Sequence, residues 1–272
     1  MRVHIISDME GIAGIVHPDQ TAAGKPQYEE GRKLYTEEIN AAVRGAKAGG
    51  ATEIVVMDCH GAGKGYMFNS LVPEELDPAC EFVVQREWTG YTGLLEAGCD
   101  AALFVGMHAM AGVADGVMAH TVSGVDWQNL WFNDTRVGET GINAALCGTW
   151  GCPVLMVTGD QAVARESREL LGEGLTTVEV KQGLGARTAR MLAPKRAREL
   201  VEDGAKRALK DLKAVAPYDP GKPCEVKVEF KGTEVPQHLR FQQGVEVVDD
   251  RMIVSRADDW WSAWRQFFFV SD

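Results

Sequence analysis

The sequence has no long apolar segment and no block of basic residues. None of its 272 residues falls in an uninterrupted apolar run of about 18, the length that a membrane-spanning helix needs. The N-terminal apolar run meets Asp8 and Glu10 before it could form the hydrophobic region of a signal peptide. We therefore expect a soluble, cytoplasmic protein.

Positive charge is also scarce. Lysine and arginine number 28 against 39 acidic residues, for a formal net charge of -11. Nucleic acids and anionic membrane surfaces are therefore poor candidate partners. The acidic balance suits a cationic ligand such as a divalent metal or a free amine, although it can equally serve only solubility.

Closely spaced cysteines are missing as well. The six cysteines are scattered along the chain without a C-x-x-C pair. Structural zinc sites held by thiolates need such pairs, and disulfide frameworks belong to small secreted domains. The pattern favours reduced thiols in the cytoplasm.

Apolar runs of strand length alternate with amphipathic segments of helical spacing. The apolar runs are residues 3–6, 54–57, 82–84, 101–105 and 154–157, and the helical segments are residues 28–48, 138–150 and 160–171. Continuous apolar strands separated by helices are typical of a mainly parallel sheet with helices on its faces. The predicted fold class is thus α/β, a mainly parallel sheet flanked by helices.

The pattern changes at residue 193. Pro194 opens a charged segment that predicts a helix to about residue 213, and three prolines between residues 217 and 223 follow it. Two alternating runs, residues 224–230 and 244–254, predict strands, and an aromatic segment predicts a helix over residues 258–269. We expect an α/β metal-binding catalytic domain at residues 1–192 and a smaller α+β C-terminal subdomain at residues 193–272.

Metal-ligating residue types follow three of the predicted strands. Asp8 and Glu10 come after the first strand, His60 after the second, and His108 after the strand at residues 101–105. Ligands of parallel sheets bind beyond the carboxyl ends of the strands, so these side chains are expected at one edge. Carboxylates with imidazoles, and without thiolates, suit Zn²⁺, Mn²⁺ or Co²⁺ in a catalytic site with an open position.

Each residue alone also has an ordinary structural interpretation. Asp8 could cap a helix, Glu10 could be solvated, and His60 or His108 could be a structural histidine bonded to the backbone. His120 could be a strand histidine with one face in the core. Glu139 begins a predicted helix, where a glutamate commonly complements the helix dipole. The joint pattern is therefore the stronger evidence.

Several ordered motifs resemble the zinc-dependent D-aminopeptidases of the DppA type. The resemblance covers nearly the whole chain. Its motifs are Ser7-Asp8-Met9-Glu10-Gly11, Asp58-Cys59-His60, Gly106-Met107-His108-Ala109, Gly116-Val117-Met118-Ala119-His120 and the segment from Asn133 to Asn143 with Val137-Gly138-Glu139 at its centre.

The resemblance implies a metal centre, a substrate and an assembly. It implies two Zn²⁺ ions per subunit with His120 as a catalytic residue, short peptides as substrates, and a homo-oligomer, a decamer of stacked rings that encloses the active sites. Its implied metal ligands are Asp8, Glu10, His60, His108 and Glu139, with Asp8 as the bridging carboxylate.

The expected activity is hydrolysis of N-terminal, D-configured residues from short peptides by a metal-activated water. His120 could move protons, stabilise the oxyanion or act as a nucleophile. Lys181, Asn133 and Asn143 are weaker candidates for contact with substrate. Two alternatives stay open: a dinuclear metal amidohydrolase of another substrate, and an inactive, metal-stabilised oligomeric binding protein.

Overall fold

The computed structural model describes residues 1–63, 68–85 and 93–268. These ranges contain twelve strands and seven α-helices. The strands are β1 (Arg2–Ser7), β2 (Glu53–Asp58), β3 (Glu81–Val83), β4 (Ala101–Met107), β5 (Trp127–Phe132), β6 (Thr135–Val137), β7 (Val154–Asp160), β8 (Thr176–Gly185), β9 (Thr188–Met191), β10 (Cys224–Phe230), β11 (Val245–Asp249) and β12 (Met252–Ala257). The helices are α1 (Tyr28–Ala48), α2 (Gly93–Glu96), α3 (Glu139–Thr149), α4 (Gln161–Leu171), α5 (Pro194–Ala208), α6 (Glu234–Leu239) and α7 (Trp260–Arg265).

The larger sheet has seven strands in the order β3-β2-β1-β4-β7-β8-β9. All neighbours in it are parallel except β9, which pairs antiparallel with β8. Every residue of β4 and β7 is buried, because helices cover this part of the sheet. The prediction of a mainly parallel sheet flanked by helices is confirmed.

Two pairs of helices pack on this sheet. The helix α1 packs against α5 and contacts β1, β2 and β4, whereas α3 contacts α4 and β4. The long apolar stripe of α1 includes Tyr35, Ile39, Ala42, Val43 and Ala46, all buried. This spacing places one face of the helix on the sheet.

A second sheet of five antiparallel strands has the order β11-β12-β10-β5-β6. Residues alternate along β10, with Val226, Val228 and Phe230 buried under the aromatic helix α7. The expected α+β character of the C-terminal part is therefore present. The domain boundary between residues 192 and 193 stays a prediction. The second sheet contains strands from both sides of that boundary, β5 and β6 before it and β10 to β12 after it.

Two predicted helices differ from the structure at their ends. The helix predicted over residues 194–213 ends at Ala208, and the helix predicted over residues 258–269 spans Trp260–Arg265. Residue 269 lies outside the described residues. No helix in the described part of the chain combines the length and apolarity needed to cross a bilayer.

Candidate metal centre

Adjacent parallel strands bring the predicted residues to one edge of the larger sheet. The pairing sets Ser7 at the end of β1 opposite Asp58 of β2 and Val105 of β4. Asp8 therefore leaves the sheet beside the loops that carry His60 and His108. All three side chains are buried, and so is Glu10.

The backbone after β1 touches the backbone at the end of β4. The Asp8 amide donates to the Val105 carbonyl at 2.9 Å, and the Gly11 amide donates to the Gly106 carbonyl at 2.7 Å. Gly106 has a φ of +75°, and a methyl group there would lie 2.1 Å from the Asp8 carbonyl oxygen. Only glycine combines this backbone conformation with so close an approach.

The carboxylate of Asp8 lies between two histidines. Its Oδ1 is 3.1 Å from Nδ1 of His60, and its Oδ2 is 3.2 Å from Nε2 of His108. Glu10 extends the His60 side, with Oε2 at 3.0 Å from the same Nδ1. Glu139 extends the other side, with Oε1 at 3.4 Å from Nε2 of His108. Asp8 thus joins two neighbouring groups of possible ligands.

Glu139 and His120 enter the cluster from the far side. Glu139 is the first residue of α3, and its Oε1 accepts a hydrogen bond from the Val122 amide at 2.8 Å. His120 lies in the loop before Val122, with Nε2 at 3.6 Å from the same Oε1. The structure therefore brings all six predicted residues together, although it places His120 within reach of the ligand group.

Each of the three histidines in the cluster turns one ring nitrogen toward a backbone carbonyl. These contacts are Nε2 of His60 with the Thr21 carbonyl at 2.8 Å, Nδ1 of His108 with the Ala109 carbonyl at 3.0 Å, and Nδ1 of His120 with the Met118 carbonyl at 2.9 Å. A nitrogen facing a carbonyl must carry hydrogen, so in a neutral ring the other nitrogen presents its lone pair to the carboxylates. This orientation is the one that metal-ligating histidines adopt.

Electrostatics couple the acids and the histidines. Burial opposes protonation of His60 and His108, but the carboxylates beside them outweigh it and raise the pKa of both rings well above the usual value. Burial conversely acts to raise the pKa of Asp8 and Glu139, yet the histidines lower both, that of Asp8 to well below its usual value. The cluster therefore gathers anionic charge that a cation can compensate.

The donor set fits a divalent metal. Asp8 Oδ2, Glu10 Oε2 and His108 Nε2 are buried and have no hydrogen-bond partner. Two groups of side chains can each bring three ligand atoms within 4.8 Å of one another: Asp8, Glu10 and His108, and His108, His120 and Glu139. Buried carboxylate and imidazole atoms that lack hydrogen bonds and converge in this way suit Zn²⁺.

A supporting network around the loop after β2 was not predicted from the sequence. Asp58 is buried, accepts hydrogen bonds from the Tyr35 hydroxyl and the His60 amide at 2.9 Å each, and also accepts one from the Ser70 amide. Asp58 was visible as part of a motif, but its role in fixing the His60 loop depends on α1, which supplies Tyr35.

Two of the three weaker candidates for substrate contact have other partners, whereas Oδ1 of the third, Asn143, is buried without a hydrogen-bond partner. Lys181 donates to three backbone carbonyls in the turn after β1. Asn133 donates to the Pro220 carbonyl and accepts from the Glu225 amide, which ties it to the second sheet. Asn143 is buried within α3.

Three histidines and three carboxylates at the carboxyl edge of a parallel sheet form the kind of site found in metal-dependent hydrolases. The chain belongs to the D-aminopeptidase family, whose model matches residues 1–269. A D-aminopeptidase of Bacillus subtilis (strain 168) is 34% identical over 252 residues, which cover 91% of this chain and 88% of that relative.

A solved structure shares the fold. It is described as the Zn-dependent D-aminopeptidase DppA from Bacillus subtilis, a self-compartmentalizing protease, and it matches with a TM-score of 0.89 at 30% identity. The match covers 98% of this chain and 95% of that one. The predicted family and the predicted enzyme class, a hydrolase, are thereby confirmed, whereas the roles of individual residues stay predictions.

Proposed function

We propose that this enzyme is a zinc-dependent aminopeptidase that releases N-terminal D-residues from short peptides. The single observation that carries the proposal is the position of Asp8, whose two carboxylate oxygens face His60 and His108 separately. Such a carboxylate suits a pair of neighbouring metal ions. Membership of the D-aminopeptidase family supports the substrate class.

Two zinc ions per subunit would be held by five residues. Glu10 and His60 would serve one ion, His108 and Glu139 the other, and Asp8 both. When bound, zinc lowers the pKa of water toward neutrality and polarises a carbonyl group. The hydrogen bonds from His60 and His108 to backbone carbonyls orient the two rings for this task.

His120 is the histidine placed to act on substrate. Its side chain is 23% exposed, against 1% for His108 and 7% for His60. Its Nδ1 is engaged by the Met118 carbonyl, so Nε2 is the atom available to accept or donate a proton. As an imidazolium, the same nitrogen would stabilise the oxyanion of a tetrahedral intermediate.

Three alternatives to this proposal are tested by measuring zinc content and peptide hydrolysis. His120 could be a further metal ligand, since it belongs to one of the two ligand groups. The centre could hydrolyse another amide, or the chain could be an inactive, metal-stabilised binding protein. The complete set of candidate ligands together with the accessible His120 favours catalysis.

The subunits are proposed to assemble into a homo-oligomer that encloses the sites. The support is the structural relative, which is described as self-compartmentalizing. We propose a decamer in the cytoplasm. Light scattering of the eluting peak in gel filtration tests the assembly, and a mass of one or two subunits would contradict it.

Elemental analysis of protein purified without chelators is the direct test of the centre. We expect about two zinc ions per chain, the count of a two-metal site. The paired assay is release of alanine from D-Ala-D-Ala and from L-Ala-L-Ala. Zinc with D-selective release supports the proposal, zinc without release of either kind supports another substrate or a binding role, and protein without metal contradicts the proposed centre.

A further inference from the structure

Lys181 is buried beneath the turn that carries Glu10. The residue lies in β8, where it is only 4% exposed. Its Nζ donates to the carbonyl oxygens of Glu10 at 2.5 Å, Ile12 at 2.9 Å and Ile15 at 2.6 Å. An ammonium group has three hydrogens, so all three are committed to this turn. A direct contact with substrate would have to break one of these bonds.

The turn at residues 10–15 depends on a positive charge at this point. Three carbonyl oxygens converge there, and buried carbonyls without a donor are costly. The Gly11 amide of the turn donates to the Gly106 carbonyl instead, whereas the Ile15 amide donates to the Ile12 carbonyl at 3.2 Å, which therefore has a second donor besides Lys181. The ammonium of Lys181 is the group that lets the three carbonyls point inward together.

Glu38 holds the same turn from α1. Its side chain is 1% exposed, and Oε2 accepts a hydrogen bond from the Ala13 amide at 3.1 Å. Burial raises the pKa of Glu38 to about 7, and above that pH its negative charge acts on Lys181. A cation thus binds the carbonyls of the turn while an anion binds one of its amides, and the two charges offset each other.

We propose that Lys181 is a positioning residue that fixes Glu10 through the carbonyls of Glu10, Ile12 and Ile15, and so sets how tightly the centre holds metal. This inference rests on the proposed function, because it takes Glu10 as a zinc ligand. The Glu10 carbonyl belongs to the same residue whose Oε2 lies 3.0 Å from His60. Loss of the hydrogen bonds from Lys181 would therefore displace Glu10, one of the proposed metal ligands.

The test compares Lys181→Met with Lys206→Met. Methionine keeps an unbranched apolar side chain but provides no hydrogen for the carbonyls. Lys206 is an exposed lysine of α5 and serves as the matched control. Release of zinc to a chromogenic chelator, followed by absorbance, should be at least about tenfold faster in Lys181→Met than in the wild type, on the scale typical for supporting residues of metal sites.

A second readout is spectroscopic. The visible absorption of the cobalt-substituted enzyme reports the geometry of the ligands, and we expect Lys181→Met to shift these bands while Lys206→Met leaves them unchanged. If circular dichroism shows that Lys181→Met does not fold, the inference is tested on the zinc-release rate of Glu38→Gln instead. Glutamine keeps an oxygen for the Ala13 amide but removes the charge beside Lys181, so faster zinc release is again expected.

The outcomes separate this inference from the proposed function. A wild-type protein that holds no zinc would overturn both. A wild-type protein that holds zinc, with unchanged zinc release and cobalt bands in Lys181→Met, would overturn the inference alone. If Lys181→Met does not fold but Glu38→Gln does, a wild-type rate of zinc release in Glu38→Gln would overturn the inference alone.

Discussion

The imidazole ring of His108 is stacked on that of His120, with centroids 4.1 Å apart and planes inclined by 15°. Both rings donate Nδ1 to a carbonyl of their own loop and turn Nε2 toward Glu139. The inner ring, His108, also faces Asp8, whereas the outer ring is accessible from outside the cluster. The stack therefore offers one ring suited to a metal and one suited to a substrate.

Substitution of His120 should separate catalysis from metal binding. We expect His120→Ala to lower turnover by at least about a hundredfold, because a positioned acid or base contributes that much. Zinc content should stay at the wild-type value, since Asp8 and Glu139 still face His108. Peptide hydrolysis and elemental analysis are measured on the same preparation. Loss of zinc in this variant would make His120 a ligand instead.

Substitution of the acids should reveal the two halves of the centre. Asp8→Asn changes the residue that faces both His60 and His108, so we expect loss of both zinc ions. Glu10→Gln alters only the His60 side and should retain about one, in keeping with a site of two metals. Elemental analysis after gel filtration gives the counts. Equal zinc content in the two variants would contradict the bridging role of Asp8.

His60→Ala and His108→Ala should both lose metal as well as activity. Removing either ring leaves buried carboxylates that face one another without an intervening base or cation, which is strongly unfavourable. The measurement is again zinc per chain, with His238→Ala as a control because His238 is exposed outside the cluster. Full zinc content in His60→Ala or His108→Ala would remove that residue from the ligand set.

Two glycines with similar backbone angles should respond differently to alanine. Gly106 (φ +75°) would place its methyl group 2.1 Å from the Asp8 carbonyl oxygen, whereas Gly112 (φ +84°) has no atom within 4 Å of that position. Gly112→Ala should cost about 1–2 kcal/mol from the left-handed conformation alone. Gly106→Ala must also move Asp8, so we expect a larger fall in unfolding temperature and loss of zinc. Equal effects would show that the close approach is unimportant.

The sequence predicted the elements whose signals are local. The helix α1 matches its predicted bounds because Gly49 and Gly50 follow it directly. The helix α5 ends at Ala208 although charged residues continue beyond it. Beyond that end the Ala214 carbonyl lies so close to Gly174 that a methyl group on Gly174 would be 1.9 Å from it. No pattern within the segment itself indicates that contact.

Pairing between distant segments was beyond the reach of the sequence. The strand β5 pairs with β10, almost a hundred residues later in the chain, and its burial does not alternate regularly. In the same way, the ligands could be listed because each follows a strand or begins a helix. The contacts of Lys181 with the turn after β1 could not be predicted, because its three carbonyl partners lie about 170 residues earlier in the chain.

His4 should make stability depend on pH in the acid range. It lies in β1, its side chain is fully buried, and neither ring nitrogen has a hydrogen-bond partner. Burial lowers the pKa of His4 to about 4. In the unfolded chain the ring binds a proton below its ordinary pKa of about 6.5. Between these values the unfolded state binds more protons, so stability falls as pH falls from about 6.5 toward about 4.

The magnitude follows from the two pKa values. Between about pH 7 and about pH 5, His4 should lower the free energy of unfolding by about 2 kcal/mol. Urea unfolding of the wild type and of His4→Val at both pH values measures this effect as a difference of differences, which removes contributions of other groups and of the lost side-chain volume. Valine suits a buried strand and does not titrate. His4→Val should therefore lose about 2 kcal/mol less than the wild type on acidification. Equal losses would mean that a water or a polar group reaches His4 and accommodates its charge.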